Sequence, residues 1–365
     1  MRSAEIRADA RRAMEVCNAC RYCEGFCAVF PAMELRRTFS DGELDYLANL
    51  CHNCRGCYYA CQYAPPHEFG INLPRTFAEL RGETYAENVW PRPLARLFAR
   101  NGLVVSLAAA LGIALVLLLA MALQPADVLY GAHQGPGAFY AVIPYGTMVA
   151  VAGATFGFAV LAMVLGVARF WRRAGAGGLP RVRPLVRALG DVLTLRYLGG
   201  GGDGCNDRDE AFSQKRRWLH QSLFYGFLLC LASTTVAAAY DHFLGLPAPY
   251  PFWSWPVLLG TVGGIGMVVG TSGLFGLKLV GDRAPAAPRL LGADVALIVL
   301  LGMTAVTGLL LLGLRATGAM GVLLAIHLGF VLAVFLTMPY SKFVHGGFRV
   351  AALLRYAMER DTSGA

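Results

Sequence analysis

The sequence predicts an all-α protein in which a small, polar, cysteine-rich region (residues 1–90) precedes a bundle of six transmembrane helices (residues 91–365). Two observations support this division. Eight of the ten cysteines lie between residues 17 and 61. The rest of the chain is apolar: hydrophobic residues make up 56% of the 365 residues, charged residues 15%, and the mean hydropathy is +0.51. Soluble domains of this length are more polar, so the composition favours a membrane protein.

The cysteines form two blocks with the same spacing, C-x2-C-x2-C-x3-C. This spacing lets three thiolates on a tight turn reach three irons of one cubane [4Fe–4S] cluster, and in two-cluster ferredoxins the fourth cysteine ligates the other cluster. We therefore expect a ferredoxin-like domain with two [4Fe–4S] clusters. The predicted ligand sets are Cys17, Cys20, Cys23 and Cys61 for one cluster, and Cys51, Cys54, Cys57 and Cys27 for the other.

Other uses of these cysteines fit the sequence less well. Disulfides are not expected, because residues 1–13 carry four arginines and no apolar stretch, unlike a signal peptide. Structural zinc usually takes two CxxC pairs separated by a longer spacer. One departure concerns proline, which usually follows the fourth cysteine of a ferredoxin block directly. Here Pro31 and Pro65 come four residues later, which weakens the cross-ligation prediction but not the prediction of clusters.

Six stretches are long and apolar enough to cross a membrane, which takes about 20 residues. They are residues 103–123, 139–168, 218–240, 253–277, 291–314 and 320–338. The fourth is rich in glycine, which favours close packing between helices. Between the cysteine blocks, residues 38–50 predict a helix with Ser40 or Asp41 as its N-cap.

The positive charges alternate between the connections. Residues 169–217 carry eleven Lys and Arg, residues 278–289 carry three and the segment after 338 carries four, whereas residues 124–138 and 241–252 carry none. By the positive-inside rule, both termini and the cysteine-rich region lie in the cytoplasm, on one side of the inner membrane. The net charge of +9 follows the membrane spans instead of forming one basic stripe, so nucleic-acid binding is not expected.

Four histidines in or beside the spans fall on two levels. His220 and His345 lie at the cytoplasmic level, and His242 and His327 at the outer level. Membrane bundles hold a b-type haem between pairs of histidines on facing helices, so we expect a b haem here. One haem would occupy one level, and two haems would occupy both. The alternative for each histidine is an interfacial imidazole in contact with water. His220 and His242 are 22 residues apart, which is long for one span, so a loop position is the alternative for His242.

The remaining histidines and two cysteines receive other interpretations. His133 is read as a loop residue, with an outer ligand or a quinone contact as the alternative. His52 and His67, beside the clusters, are expected to tune potentials through hydrogen bonds. The glycine-rich segment 198–207 is expected to be flexible and close to the docked cluster domain, and Cys205 and Cys230 are read as ordinary residues.

No motif for organic chemistry is found in the sequence: there is no dinucleotide-binding GxGxxG after a strand, no Walker A motif and no nucleophile elbow. One-electron centres without such a site indicate a conduit. We expect it to take electrons from a soluble donor and to pass them to a membrane acceptor, most simply a quinone.

Several motifs together resemble the tricarballylate/citrate utilisation membrane iron–sulfur protein family (TcuB/CitB). They are Cys17–Cys27 with the following AVFPAM, LCHNC with Cys57 and Cys61, PPHEF, INLP, LRYLGGG, APYP, HLG at residue 327 and PYSKFVH ending at residue 345. The resemblance covers nearly the whole chain. It implies a separate FAD-dependent tricarballylate dehydrogenase, whose reduced flavin this protein reoxidises while electrons pass to the quinone pool.

The chain is also similar to the C-terminal half of a cobalamin-pathway flavohaem iron–sulfur protein, which implies one b haem beside two [4Fe–4S] clusters. The membrane half is similar in fold to the diheme gamma subunit of nitrate reductase. An alternative function is therefore a redox component of an oxygen-dependent or corrinoid-modifying enzyme system. A membrane redox sensor is a third possibility, but no signalling module accompanies it.

Overall fold

The computed structural model of the protein describes residues 2–175, 177–178 and 180–363, and within them the fold is helical, without strands. The α-helices in chain order are α1 (Arg2–Cys20), α2 (Val29–Glu34), α3 (Asp41–Leu50), α4 (Gly56–Tyr59), α5 (Leu73–Asn88), α6 (Asn101–Leu123), α7 (Ala126–Tyr130), α8 (Ala138–Val142), α9 (Tyr145–Arg173), α10 (Val182–Leu193), α11 (Lys215–Leu244), α12 (Trp255–Val280), α13 (Leu291–Leu314), α14 (Met320–Thr337) and α15 (His345–Ser363). Short 3-10 segments lie at Arg92–Arg100, Arg196–Gly199, Pro288–Leu290, Met338–Tyr340 and Lys342–Val344. The predicted all-α fold class is confirmed.

Six of these helices, α6, α9 and α11 to α14, are long and apolar enough to span a membrane, so the protein is a multi-pass membrane protein. The second span begins at Tyr145, not at residue 139 as expected from the sequence. The cause is Pro144, since a proline disfavours the helical conformation of the residue before it. Ile143 is accordingly extended, with φ −130° and ψ 112°, and residues 138–142 form the separate short helix α8.

Glycines bring pairs of spanning helices into backbone contact. A Cβ atom on Gly263 of α12 would lie 2.7 Å from the carbonyl oxygen of Gly226 on α11. Between α6 and α14 the same holds for Gly112, whose Cβ would lie 2.6 Å from the carbonyl oxygen of Gly329. The close packing expected for the glycine-rich fourth span is therefore present, and any side chain at these positions would separate the helices.

The cysteine-rich region has its own hydrophobic core, in which Phe30, Tyr46 and Phe77 are fully buried. The C-terminal helix α15 belongs to this core as well, since Phe348 and Leu353 are buried in it. The domain boundary expected at residue 90 therefore assigns α15 to the membrane part, although this helix packs in the core of the first five helices. Between the blocks, Ser40 is the N-cap of α3, one of the two caps that the sequence predicts, and it forms a capping box with Glu43.

Candidate metal centre

The eight cysteines of the two blocks lie at the ends of helices and in the turns that follow. The first block starts in the last turn of α1 and continues through an irregular turn to α2, and the second starts directly after α3. Three turn residues, Arg21, Asn53 and Arg55, have positive φ angles of 56°, 58° and 71°. Residues other than glycine rarely adopt this backbone conformation, and it recurs at functional sites. Here it reverses the chain between successive cysteines, so that neighbouring thiols can face a common centre.

The turns bring cysteines of different blocks together. A cavity of about 260 Å³ is lined by Cys17, Cys20 and Cys23 of the first block and by Cys57 and Cys61 of the second. Cys61 raises the pKa of Cys17 and of Cys23 by its proximity, after the larger effect of burial. The first predicted ligand set thus surrounds one cavity.

The second predicted set is also assembled from both blocks. The thiol of Cys27 lies near Cys54 and Cys51, and that of Cys57 lies near Cys54, Cys27 and Cys51. Burial is the main cause that raises the pKa of Cys27 and Cys57, and these neighbouring thiols add to it. Cys27 of the first block thus lies among thiols of the second block, whereas Cys57 also lines the cavity of the first set. The division of the eight cysteines into two cross-ligated sets stays a prediction.

The donor set fits iron–sulfur clusters better than a single ion. Burial raises the pKa of both Cys17 and Cys23 to about 12, so these thiols are protonated at neutral pH unless a metal stabilises the thiolates. Among residues 2–175, 177–178 and 180–363, no three His, Cys, Asp or Glu side chains are spaced to hold one metal ion. A cubane cluster holds its four cysteines further apart than one ion does.

The loop between α10 and α11 lies against both cysteine blocks. A Cβ atom on Gly201 would lie 2.9 Å from the carbonyl oxygen of Gly25, so glycine is needed for this close approach. The backbone N–H of Asn206 donates to the carbonyl of Cys54 at 2.9 Å, and Arg216 donates to that of Asn53 at 2.7 Å. The glycine-rich segment that the sequence places near the cluster domain is therefore in direct contact with it.

Two arginines from different helices bond the same carbonyl of the second block. Arg349 of α15 donates to the carbonyl of Cys51 at 2.8 Å, and Arg81 of α5 donates to the same carbonyl at 3.2 Å. Between them, the buried His52 donates from Nδ1 to the carbonyl of Leu50 at 2.8 Å. Burial and the charge of Arg349 hold the pKa of His52 well below its usual value, so its imidazole is neutral.

His220 and His345 face each other next to this junction, with ring centres 6.1 Å apart and ring planes at 81°. Nδ1 of His345 donates to the carbonyl of Lys342 at 2.6 Å, which leaves Nε2 as the free acceptor. Nδ1 of His220 is buried without a hydrogen-bond partner. These residues fit an iron ligand pair.

The two histidines of the outer level have different surroundings. His327 packs against Gly308, where a Cβ atom would lie 2.9 Å from its Cε1, and its Nδ1 lies 3.2 Å from the hydroxyl of Thr307. His242 is exposed in the last turn of α11, and its ring contacts Phe243. The structure thus brings His220 and His345 together but gives His242 and His327 no comparable contact.

The two other histidines singled out have local partners. Nε2 of His133 donates to the carbonyl of Val128 at 2.7 Å, which closes the loop after α7. Nδ1 of His67 accepts from the backbone N–H of Phe69 at 3.1 Å, in an aromatic group with Tyr63.

An ion-pair network near His345 was missed by sequence reasoning. Asp294, in the first turn of α13, accepts hydrogen bonds from Lys278 of α12 and from Lys342. The carbonyl of Lys342 is the one that orients His345. A signal was available, since an acidic residue within an apolar span is uncommon and usually has a function.

Comparison with known proteins agrees with this arrangement. Residues 96–365 match the family model described as citrate utilization protein B, and residues 10–87 match its Fer4-like domain. Citrate utilization protein B of Escherichia coli is 48% identical over 357 residues, which cover 98% of this chain and 93% of that protein. No solved structure matches the chain. With both halves matched, a Fer4-like cysteine domain and a six-helix membrane part, this chain belongs to the citrate utilization protein B family.

Proposed function

We propose that this protein reoxidises the reduced flavin of a separate FAD-dependent tricarballylate dehydrogenase and passes the electrons to membrane quinone. Two [4Fe–4S] clusters and b haem would supply one-electron chemistry. The clusters would be held by the two groups of four cysteines described above, and the haem by His220 and His345. Membership of the citrate utilization protein B family supports the metabolic role, and the six spanning helices support a quinone as acceptor.

The observation that carries this proposal is the contact between the second cysteine block and the histidine pair. Arg349 bonds the carbonyl of Cys51, and its charge also lowers the pKa of His345 after the larger effect of burial. One arginine thus lies close to a cluster ligand and to a histidine of the membrane junction.

We further propose one b haem per chain, between His220 and His345. A second haem between His242 and His327 has weaker support, because His242 is exposed and His327 packs on Gly308. The test is the haem content of the protein purified in mild detergent, measured as pyridine haemochrome, with about eight non-haem irons expected from two clusters. The His345→Ala variant should lose the haem and keep the iron. Full haem in that variant would contradict the assignment.

The electron-transfer role is tested with the partner flavoprotein. After substrate is added, the Cys54→Ser variant should leave the partner's flavin reduced. The matched control is Cys230→Ser, which changes a cysteine of α11 outside both blocks. Normal flavin reoxidation by the Cys54 variant would refute the proposal, whereas loss of reoxidation in both variants would indicate damage to the fold.

We also propose that the cysteine domain and both termini face the cytoplasm from the inner membrane. The support is the distribution of Lys and Arg, which is concentrated in the connections on the cysteine-domain side. Reporter enzymes fused to the N-terminus and to the connection after α7 should report opposite sides of the membrane.

A further inference from the structure

The amphipathic helix α10 has two opposed faces with different environments. Its buried face contains Pro184, Ala188 and Asp191, and the helix packs against α15. The opposite face exposes five apolar side chains: Val182, Leu185, Val186, Leu189 and Leu193. At 100° per residue, these five fall within an arc of about 100°. A continuous apolar face of this kind is unfavourable in water.

A basic edge borders the exposed apolar face. Arg183 and Arg187 lie on the same side of the helix, about 40° apart by the same count, between the exposed apolar face and the buried one. The side chain of Arg183 is 79% exposed, and its nearest carboxylate oxygen, on Asp361, is 3.8 Å away. An apolar face with arginines along its edge is typical of helices that lie in a membrane interface.

The position of α10 in the chain agrees with that environment. It connects the end of α9 to the start of α11. The last residues of α9 and the first residues of α11 both contact the cysteine domain. Arg173 lies 3.2 Å from Glu87, and Arg216 donates to the carbonyl of Asn53. Helix α10 therefore lies near the level at which two spans leave the bilayer on the cysteine-domain side.

We propose that α10 lies in the bilayer interface on the cysteine-domain side and binds anionic phospholipid. Its apolar face would insert among acyl chains, while Arg183 and Arg187 would contact phosphate groups. The opposite face packs on α15, which begins at His345 and carries Arg349. Lipid bound to α10 would thereby help to fix the helix that joins the cysteine domain to the histidine pair.

The test uses the full-length protein in nanodiscs of equal phosphatidylglycerol and phosphatidylcholine, with a photo-crosslinking residue at one position. Val186→p-benzoylphenylalanine places the probe on the apolar face, where Val186 is 64% exposed. The same probe at Leu161, 49% exposed on the span α9, is the lipid-facing control, and at Tyr22 it is the control on the cysteine domain. Mass spectrometry identifies the adducts.

The proposal expects lipid adducts at Val186 and at Leu161. Adducts at Val186 should be enriched in phosphatidylglycerol, because each arginine near an anionic surface favours it about fivefold. In an Arg183→Gln, Arg187→Gln background, the two lipids should be captured about equally. Lipid capture at Leu161 but not at Val186 would overturn the proposal, as would adducts of Val186 with a second protein. Equal capture of both lipids by the chain with its arginines would overturn the role of the basic edge.

Discussion

Replacing Asp294 with asparagine removes the negative charge that Lys278 and Lys342 share. The carboxylate side chain is only 9% exposed, whereas the lysines are 34% and 42% exposed. Removing one partner of a fully buried pair costs about 3–5 kcal/mol, and an exposed pair contributes about 0–1 kcal/mol. Since the network lies between these limits, we expect Asp294→Asn to lower the free energy of unfolding by about 2 kcal/mol, roughly 30-fold in the equilibrium constant.

The measurement is unfolding in mixed micelles of rising SDS content, followed by circular dichroism. The control is Asp127→Asn, at an exposed acid in α7. The double variant Asp294→Asn, Lys342→Gln should lose less stability than the sum of its single changes, because the pair is already broken. If His345 holds the proposed haem, Asp294→Asn should also alter its optical spectrum, since the carbonyl of Lys342 orients that ring. Unchanged stability, or strict additivity in the double variant, would refute the reasoning.

Three further predictions concern the metal sites and the packing around them. Arg349→Leu removes a cation that bonds a carbonyl of the second cysteine block, so the midpoint potential of that cluster should fall in an EPR redox titration, while Arg349→Lys should retain most of it. Gly308→Ala places a Cβ atom 2.9 Å from His327 and should destabilise the protein by about 1–3 kcal/mol in SDS titration, whereas Gly313→Ala on the same helix meets open space and should not. Because burial raises the pKa of Cys17 to about 12, its thiolate takes up a proton when iron leaves. Iron should therefore be lost to a chelator faster at pH 6 than at pH 8. Equal rates at the two pH values would contradict this linkage.

The features that follow from local pattern were predictable from the sequence. The spans follow from the length of apolar stretches, and the start of α3 follows from Ser40 and Glu43, which need only each other. The ligand sets were also proposed from spacing, because a fixed separation along the chain limits which thiols can face one cluster, and they stay a prediction. Pro144 could have corrected the start of the second span, since its effect on Ile143 is local too.

The features that depend on distant parts of the chain were not predictable in this way. The sequence placed the glycine-rich segment near the cysteine domain, but the contact of Gly201 with Gly25 joins residues 176 positions apart and no local pattern specifies it. The same is true of Arg349 and Cys51, whose interaction requires the C-terminal helix to return to the cysteine domain. Exposure of His242 depends on how far α11 extends, which the apolar stretch alone does not define.

The return of α15 to the core of the cysteine domain has a consequence for how the protein is made. Phe348 and Leu353 are synthesised nearly 300 residues after Cys57 and Cys61, yet they pack in the same core. While the ribosome is still translating the six spans, the cysteine domain lacks this helix and the arginine that bonds Cys51. The core of the cysteine domain can therefore be completed only after all six spans have been synthesised, so the order of translation delays the mature cysteine domain until the membrane part exists.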